Sequence, residues 1–336
     1  MRLHHITPAV IIGMAVSALG ACRSDSVSSP DRAPVLWADL QSAGGSTLVV
    51  DDDRADCRDA DFTTIQGAVD AAAAGATILV CAGTYHEWVV IGKNELRLVA
   101  TGKPGDVVLD GQNIAGSACS PTSTSAVHCA GFELRNAHDN LVEGFLVRRY
   151  WEAGIWLRLG SSGNTIRKNV TTESPHHDGI QLQNSPGNVI EHNTSFANVT
   201  PNLNACGINV AGAGSVGNIV RHNETFENDF GIQVAGGAGD NVVFNNESHH
   251  NRQFGIRNVG ASNGTVIEDN RVLDNTGPGI ALLLGPPTGV IVARNKAFGN
   301  TLDFSGGAPG AAVFENNHCR TSVPSDLCEH TEGESK

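Results

Sequence analysis

The amino-acid sequence predicts an all-β solenoid: a single-stranded parallel β-helix with a short N-terminal capping helix. Three observations predict it. Asparagine recurs at 169, 193, 223, 246, 270, 295 and 317, in steps of 24, 30, 23, 24, 25 and 22. Each unit also carries a Gly-Ile step followed by alternation, as in Gly154-Ile-Trp-Leu, Gly179-Ile-Gln-Leu, Gly207-Ile-Asn-Val and Gly231-Ile-Gln-Val. Glycine is abundant, 39 of 336 residues, with no Gly-X-Y period, so collagen is excluded and recurring tight corners are expected. Period-2 runs of β-branched residues without intervening helices exclude βαβ units, and a period near 24 fits a β-helix better than a helix-containing leucine-rich repeat. Such a solenoid lengthens without needing a second core, so the chain length does not require two globular domains.

Residues 1–21 read as a lipoprotein signal peptide. Arg2 supplies the positive end, and the apolar run from Ala9 to Ala21 is too short to span a membrane. It ends in Leu19-Gly20-Ala21-Cys22, which resembles the bacterial lipobox and implies lipidation of Cys22. The alternative is an ordinary secretory signal containing a cysteine; both readings export the protein. Arg23, where an Asp commonly signals inner-membrane retention, implies the outer membrane if the host is Gram-negative. Residues 22–45, rich in Ser, Asp, Ala and Pro, read as a flexible tether, 46–319 as the β-helix and 320–336 as a C-terminal tail.

Within the solenoid, Thr64 caps a helix whose Ile65, Ala68, Val69 and Ala72 share one face, ended by Gly75; it covers the open end of the core. Strand-like runs follow at 76–81, 88–91, 96–99 and 107–109. The repeat predicts two inward stacks, Ile166, Ile190, Val220, Val243 and Ile267 in one, and Ile155, Ile180, Ile208, Ile232, Ile256 and Ile280 in the other. The recurrent asparagine is expected in left-handed backbone at the turn, its amide bonded to equivalents about 4.8 Å above and below. Arg167, Glu191, Arg221 and Glu268 point outward. In an oxidising compartment, Cys57 with Cys81, Cys119 with Cys129 and Cys319 with Cys328 are the local pairings, and Cys206 is left as a buried thiol in the core.

The run Thr63-Thr-Ile-Gln-Gly-Ala-Val-Asp-Ala-Ala, then Gly83-Thr-Tyr-His-Glu and Leu109-Asp-Gly, resembles the amino-terminal section of the pectin-lyase-like right-handed parallel β-helix superfamily, and the later units resemble its repeats. The resemblance spans about Leu48 to Asn317 and implies a right-handed helix. The superfamily holds polysaccharide lyases, polygalacturonases, pectin esterases, alginate epimerases, a periplasmic family that helps mature a copper enzyme, and members with no known activity, so the fold does not name the reaction.

Members acting on polysaccharides bind them along one sheet. The richest stretch here is Glu173-Ser-Pro-His176-His177-Asp178-Gly179-Ile-Gln181, in which His177 and Gln181 face outward and Asp178 turns toward the corner or interior. Arg148, Arg149, Tyr150, Trp151 and Glu152 occupy the neighbouring coil, followed by outward Trp156 and Arg158; the insertion 198–205 forms a wall, and Arg257 lies beyond. Aromatics suit sugar faces, arginines suit uronate carboxylates, and His, Tyr and Glu suit proton transfer. The expectation is a lyase or C5-epimerase acting on a uronate-containing polysaccharide. His177 serves as base with Asp178 holding its tautomer, Tyr150 is the opposing proton donor, and Arg148, Arg158 or Arg257 is the carboxylate clamp. Trp151, Trp156 and Gln181 complete the binding face. The alginate-epimerase motif Asp-Pro-His-Asp is matched only at Pro175 and His176, and Asp178 and Asp229, two coils apart, do not form the adjacent aspartates of polygalacturonases.

The alternatives are a non-catalytic envelope glycan-binding protein, with the His-His-Asp-Gly corner purely structural, and a periplasmic metal-site maturation helper. Ca²⁺ is the cofactor considered, either at the uronate carboxylate or at Asp51-Asp52-Asp53; no residue set is assigned to a metal. His192 with His222 and His249 with His250 pair without completing a ligand set. Trp37 and Trp88 fall far from the expected groove. Lys+Arg 22 against Asp+Glu 35, a net charge of −13, excludes nucleic-acid binding by counterion release. Loss of Arg2 with the signal leaves 21 against 35, a net of −14, which argues against general attraction to polyuronates. The chain is taken as a monomer that touches membrane only through its lipid.

Overall fold

The computed structural model describes residues 45–114, 129–283, 288–306 and 312–330. The expected signal peptide, Cys22, Trp37, all but the last residue of the tether, and Cys119 lie outside them. The chain divides into units Met1–Ala33 and Pro34–Lys336, and the described residues belong to the second. None of their helices is long and apolar enough to cross a membrane.

Each coil contributes one short strand to each of three parallel sheets, which contain 11, 10 and 11 strands. We call them sheet 1 (from Thr47–Val50 to Ala312–Glu315), sheet 2 (from Val89–Ile91 to Ser322–Val323) and sheet 3 (from Gly83–Tyr85 to Glu329–His330). The ladders continue to His330, past the boundary read at 319, because Ser322–Val323 and Glu329–His330 pair onto Phe304 and Cys319. Both expected inward stacks are present and closed to solvent: Ile166, Ile190, Val220, Val243 and Ile267 on sheet 1, and Ile155 through Ile280 on sheet 2. The helix Ile65–Ala71 is capped by Thr64, whose Oγ1 accepts from Gly67 N at 3.2 Å, and Ile65, Ala68 and Val69 join the core. Glu87 supplies an unforeseen second cap, accepting from Ile65 N (2.8 Å) and Gln66 N (2.9 Å).

The corner between sheets 1 and 3 corrects the expectation for asparagine. Left-handed backbone belongs to the residue before it: Lys168, His192, His222, Asn245, Asp269 and Arg294 have φ of 52–55°. The asparagine itself is buried, because its side chain must satisfy backbone groups that the turn leaves unpaired. Asn193 Oδ1 accepts from Asn169 N (3.0 Å) and Asn169 Nδ2 (3.2 Å), and Asn193 Nδ2 donates to Ile166 O (2.9 Å). Parallel amide ladders run through Asn140, Asn164, Asn188, Asn218 and Asn241, and through Asn198, Asn228, Asn251, Asn275 and Asn300. On the outside, Arg167 pairs with Glu143, Arg221 with Glu191 and Arg294 with Glu268. Cys57–Cys81 and Cys319–Cys328 are disulfides, Cys129 is disulfide-bonded, and Cys206 is free and buried.

Candidate functional site

The Gly-Ile step organises the outer face of sheet 2. A Cβ on Gly179 would lie 2.0 Å from Ser195 Oγ and 2.6 Å from Thr171 Oγ1, so this glycine faces inward, as does Ile180 after it. Two consecutive inward positions break the period-2 pattern and turn the preceding residue outward. Asp178, Cys206 and Phe230, aligned across three coils, therefore stand on the outer face, and neither the expected interior position of Asp178 nor the core position of Cys206 holds. They are nonetheless closed to solvent: 1%, 0% and 3% exposed.

The segment expected to form a wall is tied to the two following coils. Asp229 Oδ2 accepts from Thr200 N (2.8 Å), Thr200 Oγ1 (3.1 Å) and Ala205 N (3.2 Å), while Gln253 Nε2 donates to Leu203 O at 2.5 Å. Thr200, Leu203 and Ala205 are thereby tied to Asp229 and Gln253.

Three residues further along the strands, Trp156, Gln181, Asn209, Gln233 and Arg257 form a row across five coils, about 19 Å at the usual strand spacing. Gln233 Nε2 donates to Asn209 Oδ1 (2.9 Å), Asn209 Nδ2 donates to Asp178 Oδ2 (2.9 Å), and Cys206 N donates to Asp178 Oδ1 (2.7 Å). Burial raises the Asp178 carboxyl above its usual range, against the opposing pull of Asn209, Cys206 and nearby His177. Burial first, and then the Asp178 charge, push the Cys206 thiol well up, so it is no thiolate nucleophile. Arg257 lies 3.4 Å over the Phe230 ring and 5.5 Å from that of Phe254. Burial lowers its pKa, and its Nε and the Oε1 of Gln181 are buried without a hydrogen-bond partner. His177 is half-buried beside Asp178.

Trp156, Arg158, Gln181, Arg257 and Asp178 are thus brought to one face; His177 adjoins Asp178, but the Asp178 oxygens accept from Cys206 and Asn209 and not from His177, so the expected tautomer-holding bond is absent, and the other predicted residues are not all there. Tyr150 is 1% exposed in the main core, its hydroxyl donating to Glu87 O at 2.5 Å, so it cannot face His177 as a proton donor. Burial, then the Asp110 and Glu87 charges, hold its phenol well above the usual range. Arg148 belongs to sheet 3, where its Nε donates to buried Asp110 at 3.1 Å, and Arg149 binds the same carboxylate. Trp151 packs against His176 with ring centres 3.2 Å apart and planes tilted by 30°, at the corner leading into sheet 2. Trp88, expected far away, belongs to the face: its indole donates at 2.9 Å to Glu133, whose fully buried carboxylate also binds Arg135 (2.6 Å) and Arg158 (3.4 Å). Arg158 in turn lies 4.2 Å over the Trp156 ring. Asn209 and Gln233 were legible, since each follows its Gly-Ile step at the same offset as Gln181.

Two groups of three His, Cys or Asp side chains with ligand atoms within 4.8 Å of one another occur among the described residues: Cys319, Cys328 and His330, and Asp51, Asp52 and Asp53. The two cysteines of the first are joined to each other. His192 and His222 stack in parallel at 4.9 Å, as the repeat implied.

A parallel β-helix with a polar and aromatic row along one sheet is the class that fold and face define, and the comparisons agree on the fold. Residues 168–322 match the family model described as right handed beta helix region, and 107–201 match that of a periplasmic copper-binding protein, NosD. Pectate lyase PEL9 of Emericella nidulans is 30% identical over 218 residues, 58% of this chain and 48% of that protein, so the chain spans about half the length of the curated relative. Among solved structures, pectate lyase Pel9A superposes with a TM-score of 0.64 at 16% identity, over 86% of this chain and 80% of that one. The periplasmic alginate epimerase AlgG gives 0.56 at 17% over 73% and 60%, and the A-module of the Azotobacter vinelandii mannuronan C-5 epimerase AlgE6 gives 0.53 at 15% over 88% and 96%. Together they agree on the right-handed parallel β-helix fold.

Proposed function

We propose that this chain is an exported carbohydrate-active β-helix protein that lays an acidic polysaccharide along the outer face of sheet 2 and acts on it as a lyase. The observation that carries the reading is Arg257: a half-buried guanidinium with an unpartnered Nε, seated on Phe230 and Phe254 in line with the unpartnered Gln181 Oε1. A uronate carboxylate satisfies the first, a sugar hydroxyl satisfies the second, and the phenyl faces suit a pyranose ring. The similarity to proteins named pectate lyase and alginate epimerase supports the same substrate class.

The difficult step is removal of the proton at C5, which requires the adjacent carboxylate to be neutralised; Arg257 would do this while His177 takes the proton. C5-epimerisation needs a second group on the opposite sugar face, the role expected of Tyr150. The chain's two tyrosines, Tyr85 and Tyr150, are both buried. Elimination needs only one base on the protein: the departing O4 takes a proton back from that base where H5 and O4 are syn, as in mannuronate, or from water where they are anti, as in galacturonate, so we favour lyase over epimerase. Lipid attachment at Cys22 remains part of the proposal, supported by the lipobox-like sequence.

Protein beginning at Ser24 should produce unsaturated uronate, read by ultraviolet absorbance, from pectate, polygalacturonate or alginate, assayed with and without Ca²⁺. His177→Ala should abolish turnover while leaving binding, and Arg257→Met should weaken binding at least tenfold in affinity electrophoresis. Binding without turnover would favour the non-catalytic reading. Neither with any of these polymers would overturn the assignment.

A further inference from the structure

We propose that Asp51, Asp52 and Asp53 form a calcium site in the N-terminal coil, separate from the sheet 2 face. Asp51 follows the first strand of sheet 1 and is fully buried. Its Oδ2 accepts from Asp56 N (3.0 Å) and Cys57 N (2.5 Å), whereas its Oδ1 is buried with no hydrogen-bond partner. A buried carboxylate oxygen left open is costly, and a bound cation removes that cost. Asp52 and Asp53, both exposed, bring their ligand oxygens within 4.8 Å of Asp51 and open the group to solvent.

No ion pair among the described residues neutralises the three. The Asp52 carboxylate lies against Gly83, at the start of the strand Gly83–Tyr85. Gly83 leaves room for it, since a Cβ there would meet Asp52 Oδ1 at 2.4 Å. The Cys57–Cys81 disulfide and the Cys81 N to Val50 O bond (2.9 Å) hold the loop against the first coil, so the ligands are presented in place.

An all-oxygen set with one buried and two solvent-facing carboxylates suits Ca²⁺, which accepts irregular geometry completed by water, better than Mg²⁺, which demands a regular octahedron. Three protein carboxylates put the affinity in the weak range of exported modules, about 10⁻⁴–10⁻³ M.

The test is calorimetric titration of the protein with CaCl₂, with thermal unfolding followed by circular dichroism. Expected are saturable binding of one ion and a rise in Tm of about 2–4 °C at several millimolar Ca²⁺, with a smaller effect of MgCl₂. Asp53→Asn should weaken binding, and the double variant Asp52→Asn, Asp53→Asn should lose both the heat and the shift while keeping its spectrum. Arg257→Met, on the sheet 2 face, should keep both. Absence of binding to the unaltered protein, or an undiminished shift in the double variant, would overturn the proposal.

Discussion

Replacing Asn223 by alanine tests how much of the solenoid's stability resides in its amide ladders. Asn223 is 2% exposed. Its Oδ1 accepts from Asn193 N (2.9 Å) and Asn193 Nδ2 (3.0 Å); its Nδ2 donates to Ile190 O (2.8 Å), Arg221 O (3.0 Å) and Asn246 Oδ1 (3.0 Å). Two of those partners keep another bond, since Asn193 Nδ2 still reaches Ile166 O and Asn246 Oδ1 still receives Asn223 N. The Asn193 N–H loses its side-chain acceptor and the Ile190 carbonyl its amide donor, at about 1–3 kcal/mol each, so the total loss should be about 2–6 kcal/mol. In urea this should lower the midpoint by roughly 1 M or more with the slope unchanged. Asn223→Asp keeps the acceptors but turns a charge toward Ile190 O, and should be no better than alanine. Asn245→Gly, at the adjacent exposed left-handed residue, should stay within about 0.5 kcal/mol of the parent. If Asn223→Ala proved as mild as Asn245→Gly, the ladder would be a consequence of the fold rather than one of its supports.

Gly179→Ala should cost about 1–3 kcal/mol in the same assay, because its methyl would overlap Ser195 Oγ and Thr171 Oγ1; an unchanged midpoint would mean that the coil gives way freely. Tyr150→Phe should lose only the bond to Glu87 O, about 0.5–1.5 kcal/mol, and leave any polysaccharide turnover within twofold; a hundredfold fall would restore Tyr150 to the site. Burial raises the folded pKa of Asp178, so the folded state holds that proton more tightly than the unfolded chain. Its contribution to stability is therefore full below the unfolded value of about 3.9 and is lost as pH rises through the folded pKa. The Tm of the parent relative to Asp178→Asn should fall across that window, and a pH-independent difference would contradict the assignment. Glu143 behaves oppositely: burial opposes its ionisation, but hydrogen bonds from Lys168 and Arg167 outweigh it and lower the pKa. Its stabilisation is present above the unfolded value of about 4.3 and lost as pH falls through the folded pKa, so Glu143→Gln should narrow its Tm gap to the parent on acidification.

The solenoid was legible because each coil repeats the same local decisions. An inward Ile or Val with polar neighbours sets the strand phase, and an asparagine every 24 or so residues sets the corner. The third amide ladder, Asn198, Asn228, Asn251, Asn275 and Asn300, escaped notice although it recurs in steps of 30, 23, 24 and 25 like the ladder that was read. The left-handed position was misplaced by one residue for a physical reason. Asn does tolerate that backbone, but a buried corner makes a stronger demand, for a side chain that can both donate and accept. The exposed residue before it then takes the left-handed turn whatever its identity, Lys168, His192 or Arg294 alike.

The face of sheet 2 was legible only in part, because strict alternation cannot register two successive inward residues. Once Gly179 is seen to face the interior, Asp178 must face out, and Cys206 and Phe230 follow by register. That correction also bears on charge. Of the arginines on this face, Arg135 and Arg158 are committed to Glu133, and Arg252 lies 3.7 Å from Asp229. Arg158 and Arg257 both rest on aromatic rings with a buried, unpartnered Nε, but among the described residues Arg257 makes no ion pair. A chain of net charge −13 has no general attraction for an acidic polymer, so in the proposed function the desolvated guanidinium of Arg257 would supply the local recognition. Because Arg257 is half-buried, that recognition should weaken less with added salt than binding through an exposed basic stripe would.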